Sequence, residues 1–285
     1  MRETWTVQPG ADEAELPQGS LLPASLRTAV HIEFTRLRAS PTEVLTCFAG
    51  NGALFSILWF FAPVTIYDLF FTVHGIAVYP IVLGVWMIAD VPATNQLAVD
   101  PVPMIAALDD PATVTRLLRA RQIVLWWIVT PTVLTTAIAV GFLTGVWSSL
   151  VIATVWVIIV PLSSMAYGCM VGVIWPYHPI PLRQRFSSPI DRRHMWLRWA
   201  ALVVAPYAVI PVLTLASLAP ITIVWKLFHS PDLDGPIHLL VSTIEFAVAL
   251  PVAALVFWSG TRLAGRLAVS RGTKLRSYLG DQNQG

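Results

Sequence analysis

Reactive side chains are sparse in this 285-residue chain, and they are not gathered in one place. The histidines His31, His74, His178, His194, His229 and His238 fall in loops, at the ends of apolar stretches or on a surface helix. No two share a helix face at metal-ligand spacing. HExxH, GxSxG and GxxxxGK[ST] are all absent, so the sequence offers no zinc-hydrolase helix, no nucleophile elbow and no phosphate loop of its own. Cys47 and Cys169 stand far apart without a CxxC partner and read as small buried hydrophobes. Asp68, Asp90 and Glu245 are the carboxylates inside apolar stretches. Such a group costs about 2.5–3.5 kcal/mol at a bilayer centre, so it turns toward protein or water. Glu245 is the candidate for a substrate pathway, and the plainer alternative is a hydrogen-bonded structural carboxylate near the interface. Asp90 reads as an end-of-helix group, and Asp68 and His74 as a pair across a hairpin. No catalytic residue, metal site or cofactor of the chain itself is expected.

The denser chemistry is charge. Between Asp100 and Arg121, Met104 and Leu108 share a turn spacing, Asp109-Asp110-Pro111 follows, and a basic run carries Arg116, Arg119 and Arg121. Asp110 before Pro111 predicts a helix start, because Asp caps the free amides and Pro is tolerated in the first turn. An acidic-then-basic element suits docking in a fixed register, while the plainer alternative is that the arginines only serve the charge bias of a cytoplasmic loop. From Pro23 to Pro41, Leu26, Val30, Phe34 and Leu37 recur at helical spacing, with Arg27, His31, Thr35 and Arg38 on other faces. That pattern predicts an amphipathic helix on the inner membrane surface or, alternatively, one packed on the protein's own loops.

The elements that must position these groups are long and apolar. Hydrophobic residues make up 56% of the chain and charged ones 12%, with a mean hydropathy of +0.69. A soluble domain carries about 25% charged residues, so a soluble enzyme, a disulfide scaffold and a disordered tail are excluded. A net charge of +2 in separated clusters gives no reason to expect nucleic acid. Six stretches approach the ~20 apolar residues a bilayer requires. They are Gly52–Thr72, Gly75–Ala93, Ile123–Thr144, Ser148–Ile174, Leu197–Trp225 and His238–Gly260. Seventeen of the eighteen Lys and Arg then fall on one side, leaving Lys226 on the other, so both termini are expected in the cytoplasm. The expected fold is all-α: a polytopic membrane protein of six transmembrane helices. A flexible acidic tail over 1–22, an amphipathic interface helix over 23–46, the transmembrane domain over 47–260 and a basic tail over 261–285 complete it. Pro206, Pro211 and Pro220 predict a kinked or broken fifth span. Gly141-xxx-Gly145 and Gly168-xxx-Gly172 predict close helix contact of the ordinary bundle kind.

This layout resembles the membrane-spanning permease subunit of type-2 ATP-binding-cassette (ABC) exporters. Leu26 to Arg38 matches the family's interface helix. Ala93 to Asp100, with Leu108-Asp109-Asp110-Pro111-Ala112-Thr113 and the basic run to Arg121, resembles its stretch after span two. Leu227 to Pro236 suits its irregular outer segment, and Tyr177 to Arg183 is similar to permeases of actinobacterial type. The resemblance implies a coupling segment at Leu108, Asp109, Asp110, Pro111, Arg116 and Arg119, contacting a separate ATP-binding subunit that would hold the ATP. It further implies a second permease chain, the same or different, in the cytoplasmic membrane, and export of an amphipathic or lipid-like compound such as a drug, lipid or peptide. An ion-coupled secondary transporter using Glu245, and a non-transporting membrane scaffold, are the alternatives.

Overall fold

The computed structural model describes residues 22–61, 79–145, 147–176, 204–217, 219 and 236–280. Every regular element among them is a helix. Ser25 opens α1 (Leu26–Ala39) by accepting the amide N–H of Thr28 at 3.1 Å. The helix stops at Ser40, since a residue before proline is pushed out of helical backbone. Pro41 then heads α2 (Pro41–Phe61), where its missing N–H would have had no partner in any case. The short α3 (Tyr79–Ile88) hangs on α2 through polar groups in apolar surroundings. Asn51 donates to the Trp86 carbonyl at 3.2 Å and accepts from the Trp86 indole at 2.8 Å, and the Ser56 and Tyr79 hydroxyls lie 2.6 Å apart.

Asp90 ends α3 and caps the single turn α4 (Val91–Thr94), accepting the Val91 amide at 2.7 Å. After α5 (Pro101–Ala107), Asp110 starts α6 (Pro111–Thr144), which closes on Gly145 at φ 71°, a conformation that favours glycine. Then come α7 (Trp147–Ile174), α8 (Val204–Ser217), α9 (Pro236–Ser270) and α10 (Gly272–Gly280). Helices α6, α7 and α9 form the centre of the bundle, with α3 against α6 and α7 and α1 along α6. Exposed hydroxyls on the membrane helices return to their own helix, as Thr135 does to the Pro131 carbonyl at 2.8 Å, which satisfies them where lipid offers no partner.

Four helices are long and apolar enough to cross a membrane, over Val44–Phe61, Pro111–Leu143, Trp156–Ile174 and Ala247–Ser270. Of the six expected spans, the second and fifth are represented among the described residues by the shorter apolar helices Tyr79–Ile88 and Val204–Ser217. Pro206 and Pro211 both lie within α8, whereas Pro220, Asp68, His74, Tyr177 to Arg183 and Leu227 to Pro236 all or nearly all lie outside the described residues. Three expected boundaries move. Residues 41–46 belong to the first spanning helix rather than to the interface helix, because the only break is at Ser40. The basic segment Ala112 to Arg121 is the opening of the helix that contains span three, not a separate element. The tail expected from residue 261 continues α9 through Gly260 to Ser270 before the chain turns at Arg271. In all three places helical backbone hydrogen bonding continues while the composition changes, and composition is what marks a span in sequence.

The Gly168-xxx-Gly172 spacing packs α4 of the same chain onto α7. A methyl at Gly168 would stand 3.0 Å from the Ala93 carbonyl oxygen, and one at Gly172 would overlap the Thr94 carbonyl. Backbone rather than a flexible side chain occupies the space, so it cannot give way cheaply. Gly172→Ala is expected to lower stability by about 1–3 kcal/mol, and Gly168→Ala by less, in thermal unfolding of the detergent-solubilised protein. An unchanged midpoint for Gly172→Ala would show that α4 does not rest on α7.

Candidate functional site

Apolar helices leave charged chemistry to the ends of a membrane bundle, and here one end carries nearly all the described charge. It is built in two layers. The inner layer begins at Glu33, which falls on the inward stripe of α1 among Leu26, Ala29, Val30 and Leu37. Its side chain is 7% exposed and accepts from Nε of Arg121, itself 4% exposed, at 2.8 Å. Its other oxygen meets Nη2 of Arg36 at 2.7 Å. Arg121 also donates through Nη1 to the Gln96 carbonyl, which fixes the chain between α4 and α5. Gln122, the next residue on α6, donates to the Ala93 carbonyl at 3.1 Å and to the sulfur of Cys169 at 3.2 Å. Two successive residues of α6 therefore tie together α1, the α4 turn and α7.

This layer is not saturated. Nη2 of Arg121, Nε2 of Gln96 and Oε1 of Gln122 are buried without a hydrogen-bond partner among the described residues. Each such atom costs about 1–3 kcal/mol. Cys169, expected as a small hydrophobe, is buried but sits against two amide side chains rather than in a purely apolar site.

The outer layer is the tip formed by α5, the Asp109-Asp110 turn and α10. Met104, Ala107 and Leu108 pack with Leu275 and Leu279 of α10 and with Val114 and Leu118 of α6 in one apolar cluster. Arg276 of α10 pairs with Asp109 at 2.5 Å across this joint. Asp110 faces solvent and caps α6, accepting the amides of Ala112 and Thr113 at 3.0 Å each and the Thr113 hydroxyl at 2.5 Å. The Thr113 hydroxyl, then the Ala112 amide, hold its carboxyl below the ordinary Asp value.

The expected coupling residues thus divide. Asp109, Asp110 and Pro111 lie exposed at the tip. Leu108 is 1% exposed and belongs to the core beneath it. Arg116 donates to the Pro23 carbonyl at 2.6 Å, and Arg119 donates to the Thr261 hydroxyl and the Trp258 carbonyl, both at 2.8 Å, while stacking 3.8 Å from the Trp258 ring. Both guanidiniums are therefore turned to the chain itself. Glu245 lies within α9, well away in sequence from the tip. Sequence reasoning missed Val99 and Val102, which are 44% and 60% exposed on the tip beside Asp100. Asp100-Pro101 repeats the Asp110-Pro111 pattern and was the available signal. It also missed Glu33, whose position between Val30 and Leu37 in the apolar stripe was visible.

No group of three or more His, Cys, Asp or Glu that could hold a metal occurs among the described residues. No protein-family model, no curated protein and no solved structure matches this chain.

Arg121→Met would leave Glu33 buried with only the partly exposed Arg36 as counter-charge and would take a donor from the Gln96 carbonyl. Arg121→Met is expected to destabilise the protein by about 3–5 kcal/mol, with Glu33→Leu in the same background recovering most of the loss. Thermal unfolding of the two variants checks this, and equal losses from the single and double variants would contradict it. At Asp110 the folded carboxyl titrates below its unfolded value of about 3.9, so the cap contributes above that value and is lost as pH falls through the lower, folded one. Asp110→Asn, which still caps, should retain stability at neutral pH and lose this acid dependence, whereas Asp110→Ala should lose both; unfolding followed from pH 6 downward reads the difference.

Proposed function

We propose that this chain is the permease subunit of an ABC exporter, moving an amphipathic or lipid-like compound across the cytoplasmic membrane with a separate ATPase subunit. The single observation that carries the reading is the braced tip. α5 is held between α6 and α10 by an apolar cluster, with the Asp109–Arg276 pair across the joint, and Val102 on it and Val99 just before it stand exposed on either side of Asp100. A small apolar knob with an acidic rim on a rigid support is what a nucleotide-hydrolysing partner would need in order to push on the bundle. The coupling element in this reading is α5 with the Asp109-Asp110 turn, and the arginines of α6 anchor it from behind. The resemblance in layout adds the ATP-binding partner, the second permease chain and the six spans with cytoplasmic termini.

The chain in this role performs no covalent chemistry and holds no cofactor. It supplies two arrangements of helices, and the partner biases them by binding one better. The unpaired atoms of Arg121, Gln96 and Gln122 support this, because a second arrangement has hydrogen bonds to gain there.

The test is a mild-detergent pull-down of the tagged full-length chain with mass spectrometry. A stoichiometric ABC ATPase is the expected companion, and an intact oligomer of the chain alone would overturn the assignment in favour of a secondary transporter or a scaffold. Val102→Glu should cut ATPase recovery at least ~10-fold, as a charge placed in the core of a small interface does, with the unfolding midpoint unchanged. Glu245→Gln should leave ATP-driven export intact; its complete loss in a proton-gradient assay would instead identify an ion-coupled carrier.

A further inference from the structure

A second feature of the same end is independent of any transport reading. A groove of about 590 Å³ opens between the start of α6 and the last third of α9, floored by Trp258 and lined by Arg116, Arg119, Arg262 and Arg266. No carboxylate lines it among the described residues. Arg262 and Arg266 are exposed, and neither has an ion-pair partner among the described residues. Asp110 stands near Arg116, but its oxygens are committed to the first turn of α6. Four arginines from two helices line one concavity, two of them exposed and two bound to the chain's own groups, and with no carboxylate among the described lining residues they concentrate anions there.

The position of the groove defines the anion. Along α9 the outward stripe runs Pro251, Leu255, Trp258, Arg262, Arg266, all exposed, so it changes from apolar to basic at a tryptophan. Along α6 the change runs the other way, from Arg116 and Arg119 to Trp127, which is 58% exposed. Tryptophan marks the membrane–water boundary, and the arginines lie one and two turns beyond it on α9, at the depth of lipid phosphates. Arg119 is already fixed against Trp258, Thr261 and the helix carbonyl, so this wall of the groove is formed before any ligand arrives.

We infer that the α6–α9 groove binds the phosphate of an anionic phospholipid from the leaflet at the arginine-bearing end, with its acyl chains lying along Leu255 and Trp127. A phosphate ester is the recognised chemistry, and the apolar stripe below it selects a lipid over the free ion. Anionic lipid would complete the charge balance of the groove and join α6 to α9.

Native mass spectrometry of the delipidated full-length chain tests this with three probes: dioleoylphosphatidylglycerol, dioleoylphosphatidylcholine and inorganic phosphate. The phosphatidylglycerol adduct should be retained about 10-fold more than phosphatidylcholine, and phosphate alone should give no adduct. Arg262→Gln with Arg266→Gln should bring the two lipids close to parity, while the Lys pair at the same positions keeps the preference. Both arginines are exposed, so the Gln pair should fold; should it not, a preference retained by the Lys pair and abolished by Arg262→Gln alone carries the same information. Equal retention of the two lipids by the unaltered chain, an undiminished preference in the Gln variants, or phosphate binding as well as phosphatidylglycerol would each overturn the inference.

Discussion

The pairing of Glu33 with Arg121 is the constraint on which the rest of this end depends. Two charges sealed from water are costly, and they are tolerated only because each is held on more than one side. Glu33 has Arg36 as well as Arg121, and Arg121 has the Gln96 carbonyl as well as Glu33. Since the partners come from α1, α6 and the α4–α5 connection, meeting the charge requirement also joins those three segments. Gln122 extends the same tie to α7 one residue later.

Around that layer the packing follows a single rule: polar backbone is brought close where side chains are smallest. The α4 turn, with the carbonyls of Ala93 and Thr94, lies on Gly168 and Gly172, so a break in the helical chain is covered by protein rather than by lipid. Deeper in the apolar region, the reciprocal bonds of Asn51 with Trp86 and the single hydroxyl contact of Ser164 with Thr214 join neighbouring helices through uncharged groups. Most of the described charge lies at the end where the bundle meets water, with Glu245, farther back along α9, set apart from it.

How much of this could be read from sequence depended on whether charge and backbone change together. The apolar helices were legible from composition, and Asp110-Pro111 marked the start of α6 because capping is local chemistry. The lengths of α6 and α9 were not legible: Arg116, Arg119, Arg262 and Arg266 end the apolar run without ending the helix, and hydropathy registers only the first event. Glu33 was passed over because a carboxylate on an amphipathic helix is counted with the polar face, although its phase places it among Leu26, Val30 and Leu37. The inward turn of Arg119 depends on Trp258 and Thr261, residues far along the chain, and no local pattern announces such a contact.

The unbroken course of α6 from the tip to Gly145 has a mechanical consequence. The helix is ~50 Å long at 1.5 Å per residue, and it is gripped at Arg121 and Gln122, about a third of the way along. That point divides the helix into two arms in a ratio of about one to two, and the longer arm carries Pro131, which removes one backbone hydrogen bond. In the coupled role, tilting about that point would carry a displacement of Asp110 along the helix in the opposite sense, and the pivot holds three of the buried polar atoms that lack a partner among the described residues.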